Sequence, residues 1–514
     1  MTAKREAVHA RRVSKVLVAN RGEIAVRIIR ACHELDIRVV AIYSEADRKS
    51  LHVLQADEAV CIGPPSPLAS YLNVDAIIAA AKQTGADAIH PGYGFLAENA
   101  KFAERVEKEG LTFVGPASAA IRAMGSKLES RAIMKKAGVP IVPGTEKGSN
   151  DPAAVVAAAK SIETPLFIKA SAGGGGKGMR LVTDRAHLES AARAAIAEAR
   201  SAFGDDTVYV EKKIEHPRHI EFQVLADAHG NTVHLFEREC SIQRRHQKLV
   251  EETPSPALTP ALRARMGEAA VAAARAVGYV NAGTIEFILD TSGNFYFLEM
   301  NTRIQVEHPI TELTTDIDLV QWQLRIARGE ELSFTQKDLS QRGHAIECRI
   351  YAEDEMQNFM PSSGVISLLR HPSGPGIRND TGVYEGWEVT PFYDPILSKL
   401  VVFAENRDAA RQRMLRALDD YIVHGVKTGV DLHRRILTHP AFVRGDVNTA
   451  FLEEHAEVLR PGDAEVPDEA FVAAALADEL GLGGAARRRG AAPDAGRESS
   501  PWEQGGNWEI GGRR

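Results

Sequence analysis

Two glutamates, Glu286 and Glu299, occupy segments whose spacing predicts that they face each other across a β-hairpin. Residues 284–301 read as two strands joined by a turn at 292–293, where small and polar residues favour a tight reversal. A symmetric turn at that point pairs residues whose numbers sum to 585, as 286 and 299 do. Two opposed carboxylates repel each other, so this pairing calls for a compensating cation.

A divalent metal ion is the cation that this hairpin predicts. Asn301 lies on the same face as the two glutamates, two residues beyond Glu299. Oxygen ligands without cysteine or histidine favour Mg²⁺ or Mn²⁺. The alternative is a pair of solvated glutamates at a sheet edge, which the apolar neighbours Phe287 and Phe297 make less attractive.

Polar residues continue at every second position beyond the hairpin, namely Arg303, Gln305 and Glu307. If the chain stays extended as far as Pro309, this spacing keeps them beside the carboxylate pair. An arginine and a carboxylate next to a metal-bound polyphosphate would hold a small anion and supply a base. For Arg303 alone, a surface ion pair is the competing interpretation.

A glycine-rich run, SAGGGGKGMR at residues 171–180, follows Lys169. It is not a dinucleotide fingerprint, because a strand rather than a helix follows it, and it is not a Walker A motif, because no Ser or Thr follows Lys177. A glycine loop between two strands lets backbone N–H groups approach phosphate and close over it, whereas the alternative is a flexible surface hairpin. A phosphate would also explain a lysine at 169 between apolar residues.

Four basic side chains and one histidine cluster in residues 237–248, which read ERECSIQRRHQK. The run has two other interpretations, a solvated loop or an RNA-binding patch. No aromatic residue is interleaved, which disfavours RNA. Arginine and lysine here suit a phosphate and a small carboxylate-like anion instead.

The elements that must position these groups follow an α/β pattern. Short apolar strands alternate with amphipathic helices from residue 16 to 90, which predicts a parallel sheet with ligands at the carboxyl ends of its strands. A second α/β block follows, and a third runs from about residue 343 to 451. Beyond about residue 481 the chain is rich in Gly, Ala, Arg and Ser, which predicts a flexible tail.

Composition excludes several classes of protein. The 514 residues suggest about three domains. With 62 Lys and Arg against 69 Asp and Glu, the net charge of −7 gives no basic footprint for nucleic acid or an anionic membrane. No apolar run is long enough to span a membrane, and the four scattered cysteines signal neither zinc nor disulfides. We therefore expect a cytoplasmic protein without nucleic-acid or membrane partners.

Taken together, these motifs resemble the biotin carboxylase component of biotin-dependent carboxylases, an ATP-grasp family. The stretches that carry the resemblance are VLVANRGEIAVRIIRAC, HPGYGFLAEN, MGSK, IKASAGGGGKGMR, ERECSIQRRHQK, GTIEF, FLEMNTRIQVEHPITE, GHAIECRI and DPILSKL. The resemblance implies a mixed α/β fold with three domains and a tail. These are an N-terminal Rossmann-like domain at 14–126, an ATP-grasp domain at 127–340 with a mobile glycine-rich lid at about 140–213, a C-terminal biotin carboxylase domain at 341–455, and a flexible tail at 456–514.

Carried over position by position, the resemblance also implies the ligand sites. The implied ATP site consists of Lys127, Lys169, Gly175, Gly176, Glu211, Lys212, Lys213, Ile214, His219, His246, Glu286 and Glu299. Two Mg²⁺ or Mn²⁺ ions are implied at Glu286, Glu299 and Asn301. Bicarbonate is implied at Lys248, Arg303 and Val306, and biotin at Arg349.

The resemblance implies a reaction in two stages, with Lys248, Arg303, Glu307 and Arg349 as its catalytic residues. Glu307 would act as the general base on bicarbonate, which attacks the γ-phosphorus of ATP to form carboxyphosphate. Carboxyphosphate then yields CO₂ for biotin, while Arg349 stabilises the developing enolate.

We expect the biotin to be attached to another polypeptide. No lysine follows Lys427, and the one Met-Lys pair, Met134-Lys135, lies in a helix-like segment. The expected partners are therefore a biotin carrier protein and carboxyltransferase subunits, with this chain in a homo-oligomer such as a dimer. The final acceptor stays open among acetyl-CoA, propionyl-CoA, another acyl-CoA and pyruvate.

Two other functions compete with this interpretation. An ATP-grasp ligase that joins an acid to an amine lacks the ERECSIQRRHQK and NTRIQVEHP contexts that this chain has. A non-catalytic ATP-binding subunit would be expected to have lost Glu286, Glu299, Arg303 or Glu307, and all four are present.

Overall fold

The structure, a computed structural model, describes residues 12–171, 178–245, 247–460 and 468–480. The chain divides into two units, residues 1–460 and residues 461–514, which are described separately. Three residues that the sequence assigns to the ATP site, Gly175, Gly176 and His246, lie outside the described residues. Among the described helices, none combines the length and the apolar character that crossing a bilayer requires.

A parallel sheet forms the first part of the chain, as the alternating pattern predicts. Its strands are β1 (Lys15–Val18), β2 (Arg38–Tyr43), β3 (Glu58–Cys61), β4 (Ala88–His90) and β5 (Thr112–Phe113), and the helices are α1 (Gly22–Glu34), α2 (Leu51–Gln55), α3 (Val74–Thr84), α4 (Ala100–Lys108) and α5 (Ser118–Gly125). The strand order is β3-β2-β1-β4-β5. All four residues of β1 are buried, because helices cover a parallel sheet on both faces.

A separate small sheet lies within the predicted lid. Its region contains α6 (Lys127–Lys136), α7 (Pro152–Ala159), β6 (Leu166–Ala170), β7 (Met179–Val182), α8 (Leu188–Phe203) and β8 (Val208–Lys212). The antiparallel order is β7-β6-β8, so the glycine-rich run connects two adjacent strands, as predicted. The sheet has its own apolar core, which includes Leu166, Ile168 and Val210.

The central element of the fold is an eight-stranded antiparallel sheet. It contains β9 (Arg218–Ala226), β10 (Thr232–Arg244), β11 (Gln247–Thr253), β12 (Asn281–Leu289) and β13 (Phe295–Asn301), with α9 (Pro260–Ala276), α10 (His308–Thr315) and α11 (Leu319–Ala327) packed around it. Three further strands come from the C-terminal part of the chain. The sheet therefore continues across the predicted domain boundary at residues 340–341.

The C-terminal part completes this sheet and adds short hairpins. Its elements are β14 (His344–Tyr351), β15 (Glu353–Asp354), β16 (Met360–Pro361), β17 (Gly364–Val365), β18 (Leu368–Arg370), β19 (Ile377–Thr381), β20 (Glu388–Val389), β21 (Ile396–Ala404), α12 (Arg407–Asp419), β22 (Ile422–His424), α13 (Val430–Thr438), α14 (Pro440–Arg444) and α15 (Phe451–Glu454). The order of the large sheet is β13-β12-β9-β10-β11-β14-β21-β19.

The region predicted as a tail contains regular structure where it is described. Residues Ala456–Leu459 form a short 3₁₀ helix, and Val458 is buried in the core of the first unit. The second unit contains α16 (Asp468–Glu479). The sequence analysis missed both helices, because the bias toward small residues after position 481 was extended too far back toward residue 456.

Candidate active site

A single cleft of about 1750 Å³ brings together every predicted site residue that the structure describes. These residues are Lys127, Lys169, Glu211, Lys212, Lys213, Ile214, His219, Lys248, Glu286, Glu299, Asn301, Arg303, Val306, Glu307 and Arg349. They come from the lid sheet, from the large sheet and from the segment that follows β13. The cleft is also lined by Asn20, Tyr93 and Glu98 of the N-terminal region.

The β12–β13 hairpin places Glu286 directly opposite Glu299, as the sequence predicts. The predicted turn centre is wrong by half a residue: Leu289 pairs with Phe295 and Phe287 with Phe297, so the turn is centred on residue 292. An irregularity between Phe287 and Glu286 then restores the predicted pairing of Glu286 with Glu299. Leu298 is the additional residue of this bulge. The bulge lets Phe297 pack into the core on one face while Glu299 faces the cleft on the other.

Glu286 is a buried carboxylate surrounded by donors. Its Oε1 accepts hydrogen bonds from Lys248 Nζ at 3.0 Å, Asn301 Nδ2 at 2.8 Å and Gln305 Nε2 at 2.8 Å, and its Oε2 lies 3.0 Å from His219 Nε2. Burial raises the pKa of Glu286, but the Lys248 ammonium and His219 outweigh burial and hold it well below its usual range. Glu286 is therefore ionised.

Glu299 lacks comparable partners: within the described residues it makes no hydrogen bond and no ion pair. Burial and the negative charge of Glu286 raise its pKa to about 7. A divalent cation between the two carboxylates would remove the repulsion that causes this shift. The oxygen-rich donor set and the unpaired carboxylate thus fit a Mg²⁺ or Mn²⁺ ion.

Lys248 connects the metal pair to the predicted base. Its Nζ donates to Glu221 Oε2 at 2.6 Å, to Glu286 Oε1 at 3.0 Å and to Glu307 Oε1 at 2.6 Å. These carboxylates come from β9, β12 and the residue before α10. Their charges raise the pKa of Lys248 well above its usual value although burial opposes this, so the ammonium is retained.

Glu307 and Arg349 form the other half of the polar centre. Arg349 Nη2 donates to Glu307 Oε2 at 3.0 Å, and Arg349 Nε donates to Glu251 Oε1 at 2.6 Å. Glu307 is 1% exposed. Burial raises the pKa of Glu307, but the charges of Lys248 and Arg349 dominate and hold it well below its usual range.

The segment after β13 is not an extended strand, contrary to the prediction. The chain bends at 302–303 and turns at 306–307 before α10 begins. Gln305 and Glu307 nevertheless reach Glu286 and Lys248. Arg303 instead donates to Glu98 Oε2 at 3.0 Å and to Asn301 Oδ1 at 2.7 Å.

On the lid side of the cleft, Lys169 and Arg131 both contact the carboxylate of Glu211. Lys169 Nζ lies 2.5 Å from Glu211 Oε2, and Arg131 also donates to Glu211. The sequence offered a phosphate as an explanation for Lys169, and the structure adds a second one, because β8 brings Glu211 beside it. Burial, and secondarily the charge of Lys169, lowers the pKa of Lys127.

The basic run 237–248 is not one patch. Arg238 is fully buried beneath the cleft and donates to Glu221, Gln223, Thr284, Gln305 and Thr311. Arg244 bonds Glu353 and stacks on the ring of Phe359 at 3.8 Å. Only Lys248, among the described basic residues of the run, bonds the predicted metal ligands or base.

Sequence reasoning did not assign roles to Glu98 and Glu221, which anchor Arg303 and Lys248 respectively. The signal for Glu221 was present, because His219, Glu221 and Gln223 alternate with the apolar residues of β9. Such alternation places the polar side chains of β9 on one face of the large sheet. The neighbouring strand β12 has Glu286 on the same face, directly opposite Glu221. Glu98 had no such local signal, since it lies in a loop.

Three successive parts of the chain match models of known protein families. Residues 12–121 match the N-terminal domain of biotin carboxylase, and residues 347–454 match its C-terminal domain. Residues 126–335 match the ATP binding domain of the carbamoyl-phosphate synthase L chain.

Curated relatives are similar over most of their length. A pyruvate carboxylase subunit of Methanothermobacter thermautotrophicus is 57% identical over 88% of this chain and 91% of that protein. Biotin carboxylase 1 of Bacillus subtilis is 53% identical over 86% of this chain and 99% of that protein.

Solved structures show the same similarity. The biotin carboxylase domain dimer of Hydrogenobacter thermophilus 2-oxoglutarate carboxylase, in complex with MgADP, ADP and bicarbonate, has a TM-score of 0.85 and 50% identity over 88% of this chain and 99% of that one. The biotin carboxylase–β,γ-ATP complex from Campylobacter jejuni has a TM-score of 0.84 and 44% identity over 86% of this chain and 99% of that one.

Proposed function

Because the chain belongs to the biotin carboxylase family and is an ATP-dependent biotin carboxylase of a biotin-dependent carboxylase, we propose how its cleft divides that reaction among its residues. The observation that carries the proposal is the position of Lys248. Its ammonium is shared by Glu286 of the metal pair and by Glu307, so the phosphate-binding and proton-accepting groups meet at one point.

ATP lies between the lid sheet and the large sheet in this proposal. Its phosphates face Lys127, Lys169 and His219, and the segment from Glu211 to Ile214 lies along the nucleotide. The family resemblance adds Gly175, Gly176 and His246 as ATP ligands, and these three lie outside the described residues. Glu286 and Glu299 hold the metal ions, Mg²⁺ or Mn²⁺, and Asn301 holds the second ion. When bound, the metal neutralises triphosphate charge that the lysines alone leave uncompensated. Asn301 Oδ1 accepts one hydrogen bond from Arg303 in the structure, which leaves its second lone pair for an ion.

Bicarbonate binds beside Lys248, Arg303 and Val306, and Glu307 removes its proton. The low pKa of Glu307 follows from the contacts with Lys248 and Arg349. A bicarbonate anion that takes up part of the charge of Lys248 weakens one of these contacts, which raises the proton affinity of Glu307. The base is therefore activated by the substrate that it deprotonates.

Biotin lies beside Arg349, whose guanidinium stabilises the enolate that forms when the phosphate released from carboxyphosphate takes the N1′ proton, and the ureido nitrogen then attacks CO₂. Glu251 and Glu307 both contact the guanidinium and hold it in place. The closed cleft protects carboxyphosphate from water, which is the role of the mobile lid at about 140–213.

The partners and domain limits complete the proposal. Biotin arrives on a separate carrier protein in this proposal, and the one Met-Lys pair of the 514 residues, Met134-Lys135, lies in helix α6 and not in a hairpin. A carboxyltransferase subunit then uses the carboxybiotin, and this chain forms a dimer, as the Hydrogenobacter domain does. The domains are 14–126, 127–340 and 341–455, and the protein is cytoplasmic.

The experiment that tests these roles compares Glu307→Gln with Glu388→Gln, a control at an exposed glutamate. We expect Glu307→Gln to lower kcat for biotin carboxylation by about 10²–10⁴-fold, since a glutamine cannot accept the proton. The control should keep the parental rate. Parental turnover in correctly folded Glu307→Gln would remove the base assignment.

A further inference from the structure

Two buried glutamates behind the biotin-site arginine lack the partners that two ionised carboxylates need. Glu251 on β11 and Glu347 on β14 are directly paired across the antiparallel ladder. Both are 0% exposed. Directly opposed residues hold their Cβ atoms about 4.5–5.5 Å apart, a separation at which two negative charges away from water repel strongly.

The hydrogen bonds of the pair are incomplete. Glu251 Oε1 accepts from Arg349 Nε at 2.6 Å and lies 2.6 Å from Arg349 Nη2. Glu251 Oε2 and both oxygens of Glu347 have no hydrogen-bond partner among the described residues. Buried polar atoms without a partner are rare in folded proteins, and three on adjacent side chains call for a single explanation.

None of the described charged and titratable groups around Glu347 forms a hydrogen bond with its carboxyl oxygens. These groups are Lys248 and Glu251 on β11, Arg349 on β14, Lys399 on β21, Asp380 on β19, Glu307 and His308 at the start of α10, and Glu23 on α1. The nearest carboxylates to Lys399 Nζ are Glu23 at 3.0 Å and Asp380 at 3.9 Å, although Nζ forms no hydrogen bond with the described residues. Burial and nearby cations hold the pKa of His308 well below its usual value, so its ring is neutral. No cation of the described chain lies within 4.0 Å of a Glu347 oxygen.

The number of cations is also too small for another buried charge. Arg238, Lys248 and Arg349 already contact four carboxylates among them. These four are Glu221, Glu251, Glu286 and Glu307. An ionised Glu347 would add a fifth negative charge to the same region without a partner, and buried charges without partners are strongly disfavoured.

We propose that Glu347 is a neutral carboxylic acid whose O–H donates to Glu251 Oε2, and that this pair positions Arg349 for biotin. One proton removes the repulsion and supplies partners for two of the three unsatisfied oxygens. Burial and the charge of Glu251 act in the same sense, since they raise the pKa of Glu347 well above its usual value. Because Oε1 of Glu251 receives both contacts from Arg349, a bond to Oε2 fixes the carboxylate rotation and hence the guanidinium plane.

This inference rests on the proposed role of Arg349 in holding biotin. Glu251 and Glu307 are the only carboxylates of the described chain in contact with the guanidinium, and a proton on Glu347 makes Glu251 its fixed support. If Glu347 loses its proton at high pH, two charges face each other, Glu251 rotates away, and Arg349 loses its orientation. Glu251 and Glu347 are thus positioning residues, and biotin carboxylation should fall in alkaline solution for this reason.

Two variants distinguish the effect of the proposed proton between Glu347 and Glu251 from the effect of side-chain packing. Glu347→Gln keeps an N–H donor for Glu251 Oε2 without a titrating proton, whereas Glu347→Leu fills a similar volume without a donor. We expect Glu347→Gln to stay within about twofold of the parental kcat and to lose part of the alkaline decline, and Glu347→Leu to lose about 10²-fold in kcat with an unchanged KM for ATP. Equal impairment of the two variants, or an identical alkaline decline in Glu347→Gln, would overturn the proposal.

Infrared spectroscopy tests the proton directly and without turnover. In D₂O, at a pD where exposed carboxyl groups are ionised, the parental minus Glu347→Gln difference spectrum should contain the carbonyl band of a neutral carboxylic acid. Absence of this band overturns the proposal even if Glu347→Leu fails to fold. Parental biotin carboxylation by Arg349→Gln would instead refute the biotin-holding role of Arg349, and the band would persist.

Discussion

Four carboxylates of the polar centre share three Lys and Arg side chains, Arg238, Lys248 and Arg349, and this imbalance governs the behaviour of single residues. Glu286 has three N–H donors on one oxygen and His219 beside the other, while Glu299 opposite has none within the described residues. Without metal, the two glutamates of the predicted metal pair therefore differ in their contribution to stability, although we propose that both bind the ions. This asymmetry can be measured.

Neutralising each member of the pair should have opposite effects on stability without metal. Glu299→Gln removes the repulsion with Glu286, so we expect unchanged or higher stability. Glu286→Gln leaves Lys248 and His219 with a weaker acceptor, so we expect a loss of about 1–3 kcal/mol in the free energy of unfolding. Urea unfolding in the presence of EDTA measures both.

With ATP present, both variants should need more Mg²⁺ than the parental enzyme, because each loses one anionic ligand. Glu388→Gln is again the matched control. Parental Mg²⁺ dependence of ATP hydrolysis in both variants would contradict the metal assignment, and equal loss of stability in both would contradict the asymmetry.

At the scale of elements, α13 stabilises the strand that carries Arg349. His433 of α13 is 1% exposed, and its Nε2 lies 2.7 Å from the Arg349 backbone oxygen. Burial lowers the pKa of His433 to about 4, from an ordinary value of 6.5. A buried neutral histidine thus fixes the position of β14.

This contact should make stability depend on pH. Between pH 6.5 and 4 the unfolded state binds a proton at His433 that the folded state excludes, so stability is fully present above pH 6.5 and is lost as the pH falls toward 4. We expect parental protein to lose about 2 kcal/mol from this group between pH 7 and pH 5. In His433→Gln that share of the loss should disappear.

Urea unfolding at pH 7 and pH 5 measures the difference, and His424→Gln, at an exposed histidine, is the control. The control should keep the parental change in stability between the two pH values. If His433→Gln shows the parental change as well, His433 does not titrate as inferred.

For the first unit as a whole, the large sheet unites two predicted domains. β11 of the ATP-grasp region pairs with β14 of the C-terminal region, and Leu249 and Val250 share an apolar core with Ile346 and Leu400. A cut at the predicted domain boundary therefore separates strands of one sheet. The matching family model changes near this boundary, but the sheet and its apolar core continue across it.

Truncation tests this continuity. A chain of residues 12–340 leaves the edge of β11 unpaired and exposes its apolar neighbours, so we expect aggregation. A chain of residues 12–460 keeps the whole sheet and should remain soluble with a cooperative unfolding transition. Soluble, folded 12–340 protein, shown by gel filtration and circular dichroism, would contradict the prediction.

The carrier prediction also concerns the whole molecule. The purified chain should show no biotin on a streptavidin blot, and it should carboxylate free biotin slowly and a separate biotinylated carrier domain much faster. A docked carrier presents its cofactor at a high effective concentration. A carrier domain whose biotinyl-lysine is replaced by arginine is the control, and covalent biotin on this chain by mass spectrometry would contradict the prediction.

Local order in the chain was enough to determine the candidate chemistry. The alternation within β12 and β13 and the turn near residue 292 predicted the hairpin and the pairing of Glu286 with Glu299, although in the structure that pairing also depends on the bulge at Leu298. The parallel N-terminal sheet followed from its strand–helix rhythm. The family resemblance, which rests on long ordered motifs, was likewise present in the sequence and is confirmed.

Contacts between distant segments decided the rest. The bulge at Leu298 turns Phe297 to the core and Glu299 to the cleft, because the core needs the phenyl ring on the other face. Glu211 reaches Lys169, Glu98 reaches Arg303, and Glu347 faces Glu251 only when strands and loops far apart in sequence meet. Periodicity reports which face of an element a residue occupies, whereas the partner on that face is set by tertiary packing.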